Sequence, residues 1–225
     1  MIAAVVAVRK GSQRIPNKNI KPFGKSNLLD MKLDLLKSVR NIDEIIVNSD
    51  CDKMLDIGLQ HGVSIHKRSE YFASSECSNS EFHGHIAEVT NSDTIFLAPV
   101  CSPFVSIKSH EKAIELYLNG FYDKKDKIKF DSTISVTEVK NHLWLNNEPI
   151  NYDLNNVPNS QDLPDVVKLN YGITITDKKI MQKYKRVVGN APAFYKLDEI
   201  ESQDVDTPFD WLVAEAIYKK KYNEK

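Results

Sequence analysis

The 225 residues carry 41% hydrophobic and 27% charged side chains, enough apolar material for one substantial core and too much for a disordered chain. The formal net charge of −1 supplies no bulk field to draw nucleic acid or an anionic membrane, so a phosphate ligand has to be held by a local cluster of cations. Cys51, Cys77 and Cys101 lie far apart with no CxxC pair, which points to neither a zinc site nor a disulfide framework and fits a reducing cytoplasm.

The opening apolar run, residues 2–8, is too short to span a bilayer and has no basic stretch before it, so it reads as a buried strand. Further β-rich runs at 44–48, 63–66, 94–98 and 132–137 alternate with segments of helical period at 28–39, 52–61, 80–90 and 106–118. In the first helix Leu28, Met31, Leu35, Leu36 and Val39 form one apolar stripe. This alternation predicts βαβ units around a mostly parallel sheet, in one α/β domain spanning 1–225. The rhythm breaks at 141–164, rich in Asn, Pro and Asp, which reads as an inserted arm. Regularity returns with a strand at 166–176, a short helix near 178–184 and a strand near Phe194. The last helix has Phe209, Leu212, Val213, Ala216 and Ile217 as its expected buried stripe. Thr207, Pro208 and Asp210 supply its N-cap, first-turn proline and capping-box acid.

Two segments carry chemistry. Directly after the first strand, Arg9, Lys10, Arg14 and Lys18 share a loop with Gly11, Ser12 and Pro16, at the strand end where open α/β sheets bind ligands. A polyphosphate suits such a loop, because guanidinium forks and backbone N–H groups neutralise it in a compact space. The alternative, a solvated basic loop, gives no reason for Gly11 and Pro16 to restrict its shape. Gly24-Lys25-Ser26 mimics the end of a P-loop, but Asn19 stands where the first glycine is required and the motif is rejected. The second segment is Asp204-Val205-Asp206. In extended backbone its two carboxylates point the same way and can share one hard cation, with Mg²⁺ bridging to triphosphate oxygens. Asp210 is assigned to helix capping.

Taken with its order and spacing, the run Arg9…Gly11-Ser12-Gln13-Arg14-Ile15-Pro16-Asn17-Lys18-Asn19 resembles the N-terminal signature of the acylneuraminate cytidylyltransferase family. Val47-Asn48-Ser49-Asp50, Lys67-Arg68, Leu97-Ala98-Pro99-Val100-Cys101-Ser102-Pro103, Gln161-Asp162-Leu163-Pro164, Asn170 and Asp204-Val205-Asp206-Thr207 follow in the family's order, so the resemblance covers nearly the whole chain. It implies a Rossmann-like three-layer nucleotidyltransferase fold and a CTP-dependent reaction with a small acidic acceptor. By position, Arg9, Ser12 and Lys18 resemble the triphosphate contacts, while Asn19, Arg68 and the Cys77-Ser78 backbone resemble the cytidine and ribose contacts. Asp204 and Asp206 resemble the ligands of Mg²⁺. The arm corresponds to the family's dimerisation element, which implies a homodimer with Trp144 and Leu145 at its interface; the alternative is that both cover the arm's own small core.

The departures fall on the acceptor side. Gln13 replaces a lysine that follows the serine in many sialic acid enzymes, and Arg14 offers a substitute charge, a pattern closer to the ketodeoxyoctonate branch. Ala98 and Phe104 stand where an acceptor-contacting glutamine and a nearby arginine are expected, Ser160 replaces an arginine before Gln161, and Thr174 replaces a tyrosine. With Asn170, these are the candidate acceptor-binding positions. The implied reaction is attack by an acceptor oxygen on the α-phosphate of CTP, with Arg9, Arg14 and Lys18 stabilising the triphosphate and the leaving pyrophosphate. No general base is visible. The altered acceptor positions leave open a phosphonate or another small acid as acceptor. Gln13 leaves open a nucleotide-binding homologue without turnover, against which the two retained aspartates argue.

Overall fold

A strand that is apolar at every position belongs in the middle of a sheet covered on both faces, and β1 (Ile2–Val8) lies there. The computed structural model describes residues 1–121 and 130–222. Their main sheet has seven strands. β1 pairs in parallel with β4 (Glu44–Ser49) and β6 (Thr94–Leu97), and β4 pairs in parallel with β5 (Ser64–Lys67). On the other side β10 (Val166–Asp177) runs antiparallel between β6 and β7 (Ser132–Val139), and β11 (Pro192–Lys196) closes the edge parallel to β7. The order is therefore β11-β7-β10-β6-β1-β4-β5. Two small hairpins stand outside it, β2 (Pro22–Phe23) with β3 (Ser26–Asn27), and β8 (Trp144–Leu145) with β9 (Glu148–Pro149).

Side-chain alternation along β1 divides the core. Ala4, Val6 and Val8 join a cluster with α1 (Leu28–Lys37), α2 (Asp52–Gln60), α5 (Ile107–Phe121) and α7 (Pro208–Tyr222), whereas Ala3 and Val5 pack with α4 (Asn79–Val89) and α6 (Lys178–Tyr184). The result is the expected three-layer α/β architecture with a mostly parallel sheet. α3 (Glu70–Ala73), a single turn without its own periodicity, is an addition to the sequence reading. The stripe of α1 is displaced by part of a turn: Leu28, Leu29, Leu33 and Leu36 are buried while Met31 and Leu35 are half-buried.

The arm at 141–164 turns through Asn146 and Asn147, both at positive φ (50° and 65°), as a two-residue hairpin loop between β8 and β9 requires. Asn151 ties its base by accepting from the Leu143 N–H and donating to the Asn141 carbonyl, each at 2.9 Å.

The face of α7 corrects the sequence expectation. Its capping box forms as read, with Asp210 accepting from the Thr207 N–H at 2.7 Å and Thr207 Oγ1 accepting from the Asp210 N–H at 3.2 Å. Yet Phe209 and Leu212 are 72% and 64% exposed and Ala216 is exposed, while Trp211 (5%), Ala214 and Tyr218 face inward. The two inward aromatics meet Phe23 edge-on at 5.2 and 5.3 Å between ring centroids. Their area outweighs the aliphatic stripe. Gly24, at φ +56°, permits this docking, because a Cβ there would meet the Tyr218 ring at 2.1 Å.

Lys32 carries its ammonium group into the core. Lys32 is 2% exposed and its ammonium donates to the Ser102 carbonyl at 3.1 Å. Burial pulls its pKa from 10.5 to about 8, against a smaller opposing effect of Cys101.

Two predictions follow from this packing. Trp211→Ala will lower unfolding free energy by about 3–5 kcal/mol, whereas Phe209→Ala will change it by no more than about 0.5 kcal/mol, as read by urea denaturation. For Lys32, both states are protonated below pH 8, and the native state bears the cost of a buried charge. Between pH 8 and 10.5 only the unfolded chain keeps the proton, so this residue makes stability rise with pH by roughly 3 kcal/mol across that window. Lys32→Met will lack that rise.

Candidate nucleotide-binding site

The loop after β1 is folded by its own backbone before it meets any ligand. Lys18 N–H donates to the Ile15 carbonyl at 3.2 Å, Asn17 adopts a left-handed φ of 52°, and Ile15 is buried, so the loop curls back on itself. Asn19 is buried beneath the curl, and its amide donates to the Arg9 carbonyl at 3.2 Å. Arg9 reaches across to the Ala73 and Ser74 carbonyls at 2.7 and 3.3 Å. The loop encloses a cavity of about 280 Å³ lined by Arg9, Ser12, Gln13, Arg14, Lys18 and Asn19, and completed by Pro99, Val100, Cys101 and Asp206.

The carboxylates arrive from the far end of the chain. Val205 is fully buried and its N–H donates to the Cys101 carbonyl at 2.8 Å; of its two neighbours, Asp206 lines the loop's cavity and Asp204 does not. Lys18 Nζ donates to the Val205 carbonyl at 2.6 Å and to Asp206 Oδ1 at 3.0 Å, while Arg14 bonds Asp206 Oδ2 at 3.3 Å. The pKa of the Cys101 thiol is pushed up chiefly by burial and next by the charge of Asp204. Burial also raises the pKa of Asp204, and Asp206 adds to the rise.

Asp204 Oδ1 is buried and meets no hydrogen-bond donor among the described residues. An unsatisfied carboxylate oxygen beside a second carboxylate fits a hard cation. No group of three or more His, Cys, Asp or Glu side chains among the described residues is arranged to hold a metal. A cation here would draw its remaining ligands from water and from the nucleotide, which is how Mg²⁺ is usually held.

A second cavity, of about 610 Å³, opens beside the first, and Ala7, Arg9 and Pro99 line both. Arg68 forms its floor: it is 4% exposed, donates to the Val8 carbonyl at 2.7 Å and lies 5.2 Å from the Phe82 ring centroid. Desolvation lowers its pKa. Ser74, Ser75, Cys77, Asn79, Ala98, Tyr171 and Thr174 also line the cavity. Leu97 and Thr174 are paired across β6 and β10, next to a bulge between Leu169 and Thr174 where Tyr171 takes φ 56°.

The geometry thus gathers Arg9, Ser12, Arg14, Lys18, Asn19 and Asp206 around one cavity, and Arg68, Cys77, Ala98 and Thr174 around the other. Several expected positions are placed differently. Ser78 spends its side chain on the α4 capping box with Glu81 and lines neither cavity. Phe104 is a core residue 6.4 Å from Phe23 between ring centroids, because an aromatic side chain at that point gains more from the core than from solvent. Asn170 is committed to the β10 bulge, accepting from Ser135 and Gly172 and donating to Thr137. Ser160 and Gln161 are exposed in a short 3₁₀ turn of the arm and line neither cavity. Conversely Phe72, Phe82, His83 and Val187 line the larger cavity without having been singled out. Their signal in the sequence is only that of helix and loop residues.

A mostly parallel sheet with a cationic loop after an interior strand, bonded to Asp206 with Asp204 two residues away, defines an α/β protein of the nucleotidyltransferase type. Residues 3–196 match the family model described as cytidylyltransferase, and the chain belongs to that family. It is similar to N-acylneuraminate cytidylyltransferase A of Danio rerio, at 26% identity over 218 residues that cover 95% of this chain and 50% of the relative. It is also similar to the CMP-N,N′-diacetyllegionaminic acid synthase of Legionella pneumophila, at 25% identity over 96% of this chain and 95% of that protein. The chain spans about half the length of the N-acylneuraminate relatives from Danio rerio and Oncorhynchus mykiss. Among solved structures, a CMP:2-keto-3-deoxy-manno-octonic acid synthetase complexed with CTP shares the fold, with a TM-score of 0.69 at 12% identity over 98% of this chain and 99% of that one. The acylneuraminate cytidylyltransferase motifs therefore identify the family.

Proposed function

We propose that this chain transfers CMP from CTP to a small acidic acceptor, an acidic sugar of the nonulosonic or a related class, with release of pyrophosphate. The observation that carries this reading is the continuity of the two cavities through Ala7, Arg9 and Pro99. A nucleoside seated near Arg68 and Cys77 can lay its phosphates along the loop toward Lys18 and Asp206. The acceptor oxygen attacks the α-phosphorus while the bond to the pyrophosphate oxygen breaks, and the acceptor's hydroxyl proton passes to solvent. Arg9 is already braced by the Ala73 and Ser74 carbonyls, so it meets a phosphate with little loss of freedom. Arg14 is exposed and can exchange its bond to Asp206 for one to a phosphate oxygen. Mg²⁺ held by Asp204 and Asp206 would neutralise the triphosphate and lower the pKa of the attacking hydroxyl.

The acceptor walls carry Ala98 and Thr174, in place of the longer polar side chains of the acylneuraminate pattern. That favours as second reading the same transfer to another small acid, such as a phosphonate. Three free thiols, Cys51, Cys77 and Cys101, suit a reducing cytoplasm, and no helix among the described residues is long and apolar enough to cross a membrane. For assembly we propose a homodimer through 141–164. Trp144, Leu145, Ile150, Leu154 and Val157 are all exposed on this arm, an apolar surface that a lone protrusion would leave in water.

With Mg²⁺ present, CTP will raise the melting temperature more than UTP, ATP or GTP, because the backbone of 68–78 can tell an amino from a keto edge; equal stabilisation by UTP removes that claim. In the same series Asp204→Asn will lower pyrophosphate release on the order of 100-fold without lowering metal-free stability. Wild-type turnover by Asp204→Asn at limiting Mg²⁺ removes the metal assignment. Light scattering will give twice the 25.6 kDa chain mass at micromolar concentration, and a monomer there rules out the arm as a dimer interface.

A further inference from the structure

In β10 the residues 170–173 stand against Ser135 alone, because the pairing that joins Leu169 to Val136 resumes only at Thr174 with Ile134. The extra length forms a bulge, and within it Tyr171 takes φ 56°, a left-handed conformation that strains a bulky side chain and that glycine would adopt freely. The backbone is locked on both sides of this residue. Asn170 accepts from the Gly172 N–H at 3.2 Å and donates to Thr137 Oγ1 at 2.8 Å, and the Ile173 N–H donates to Ser135 Oγ at 2.8 Å. Gly172 is packed so closely that a Cβ there would meet Val105 Cγ2 at 3.1 Å.

For all this, the aromatic residue so held does not enter the core. Tyr171 is 46% exposed and lines the larger cavity. A strained backbone that presents an aromatic ring to a cavity points to a ligand, since the fold itself gains little from a ring left in water. We infer that Tyr171 binds the acceptor, its ring covering a C–H face of the acidic sugar that receives CMP. The inference rests on the CMP-transfer reading above and adds to it a residue for the second substrate.

Sheet order assigns the ring to the acceptor and not to the nucleoside. Arg68 follows β5 but turns back to the Val8 carbonyl, at the carboxyl end of β1, and the cationic loop leaves that same end. A nucleotide held by Arg68 and the loop therefore lies along β1. β6 stands between β1 and β10, which puts β10 roughly 10 Å from β1 at the usual strand spacing. β10 runs antiparallel to β6, and Thr174 pairs with Leu97, the last residue of β6. The residues before Thr174 thus continue past the carboxyl end of β6, and Gly172 comes down on the loop that follows it, where a Cβ would lie 3.5 Å from Ser102 Cβ. Tyr171 approaches from two strands away, on the side left for the attacking molecule. An acidic sugar carries hydroxyls at its edges and C–H bonds on its faces, and an aromatic ring covers such a face and keeps water from it.

Two substitutions test this, because Tyr171→Gly removes the ring and the backbone strain together, whereas Tyr171→Phe keeps both. Turnover is measured with Mg²⁺, CTP and N-acetylneuraminate, N,N′-diacetyllegionaminate or 3-deoxy-manno-octulosonate as acceptor probes. Tyr171→Gly will raise the acceptor KM about tenfold, with kcat and the CTP KM within about twofold of wild type, and it will not lower the melting temperature. Tyr171→Phe will keep the acceptor KM within about twofold. An unchanged acceptor KM in Tyr171→Gly, or a CTP KM that rises in its place, overturns the role of Tyr171 and leaves CMP transfer standing. So does a Tyr171→Phe protein as impaired as Tyr171→Gly, which would take the contact away from the ring. Absence of pyrophosphate release from the wild type with all three probes overturns both readings.

Discussion

The site is closed by one ammonium group. Lys18 Nζ touches the Val205 carbonyl at 2.6 Å and the Asp206 carboxylate at 3.0 Å, and so joins a loop at the start of the chain to a segment near its end. With the exposed Arg14 bond to Asp206 at 3.3 Å, this contact makes one site of the cations after β1 and the segment before α7. The Val205 N–H bond to the Cys101 carbonyl fastens the same segment to the loop after β6. Three chain segments from the carboxyl ends of central strands and the start of the last helix thus meet at one point, where an open α/β sheet has room for a ligand.

That junction also sets the electrostatics. Asp206 is balanced by Lys18 and Arg14, whereas Asp204 is pushed inward against the Cys101 thiol with one oxygen unsatisfied. The imbalance makes the pair receptive to a cation that comes with its own anionic ligands, which is the form in which a nucleoside triphosphate arrives. Arg68 and His83 extend the same economy into the larger cavity. Arg68 is held by the Val8 carbonyl, so its orientation is set before a ligand enters, and burial lowers the pKa of both.

Most of the fold was legible in the chain because period and punctuation are local properties. The run 2–8 is apolar throughout and lies inside the sheet; the helix at 178–184 and the capping box of Thr207 and Asp210 appear where the residues place them. The stripe of α7 was misread for a physical reason. Phe209, Leu212 and Ala216 have the right period, but Phe23 lies opposite Trp211 and Tyr218, and no helical wheel contains Phe23. Phe104 was misplaced likewise, since alignment of motifs says which position it holds and only packing says that it turns inward.

By itself the sequence determined the α/β class, the basic loop at 9–19, the carboxylate pair Asp204 and Asp206 and the family, because each is carried by residue types at short spacing. Only the tertiary structure decided which of those residues share a cavity. It spent Ser78 and Asn170 on local hydrogen bonds, left Ser160 and Gln161 on the arm, and brought Phe82, His83 and Val187 to the larger cavity from two chain segments about a hundred residues apart. The physical reason is that a binding site is a set of distances between side chains on different elements. Those distances are fixed by sheet order and by the packing of helices upon it, neither of which is a property of any short stretch of chain.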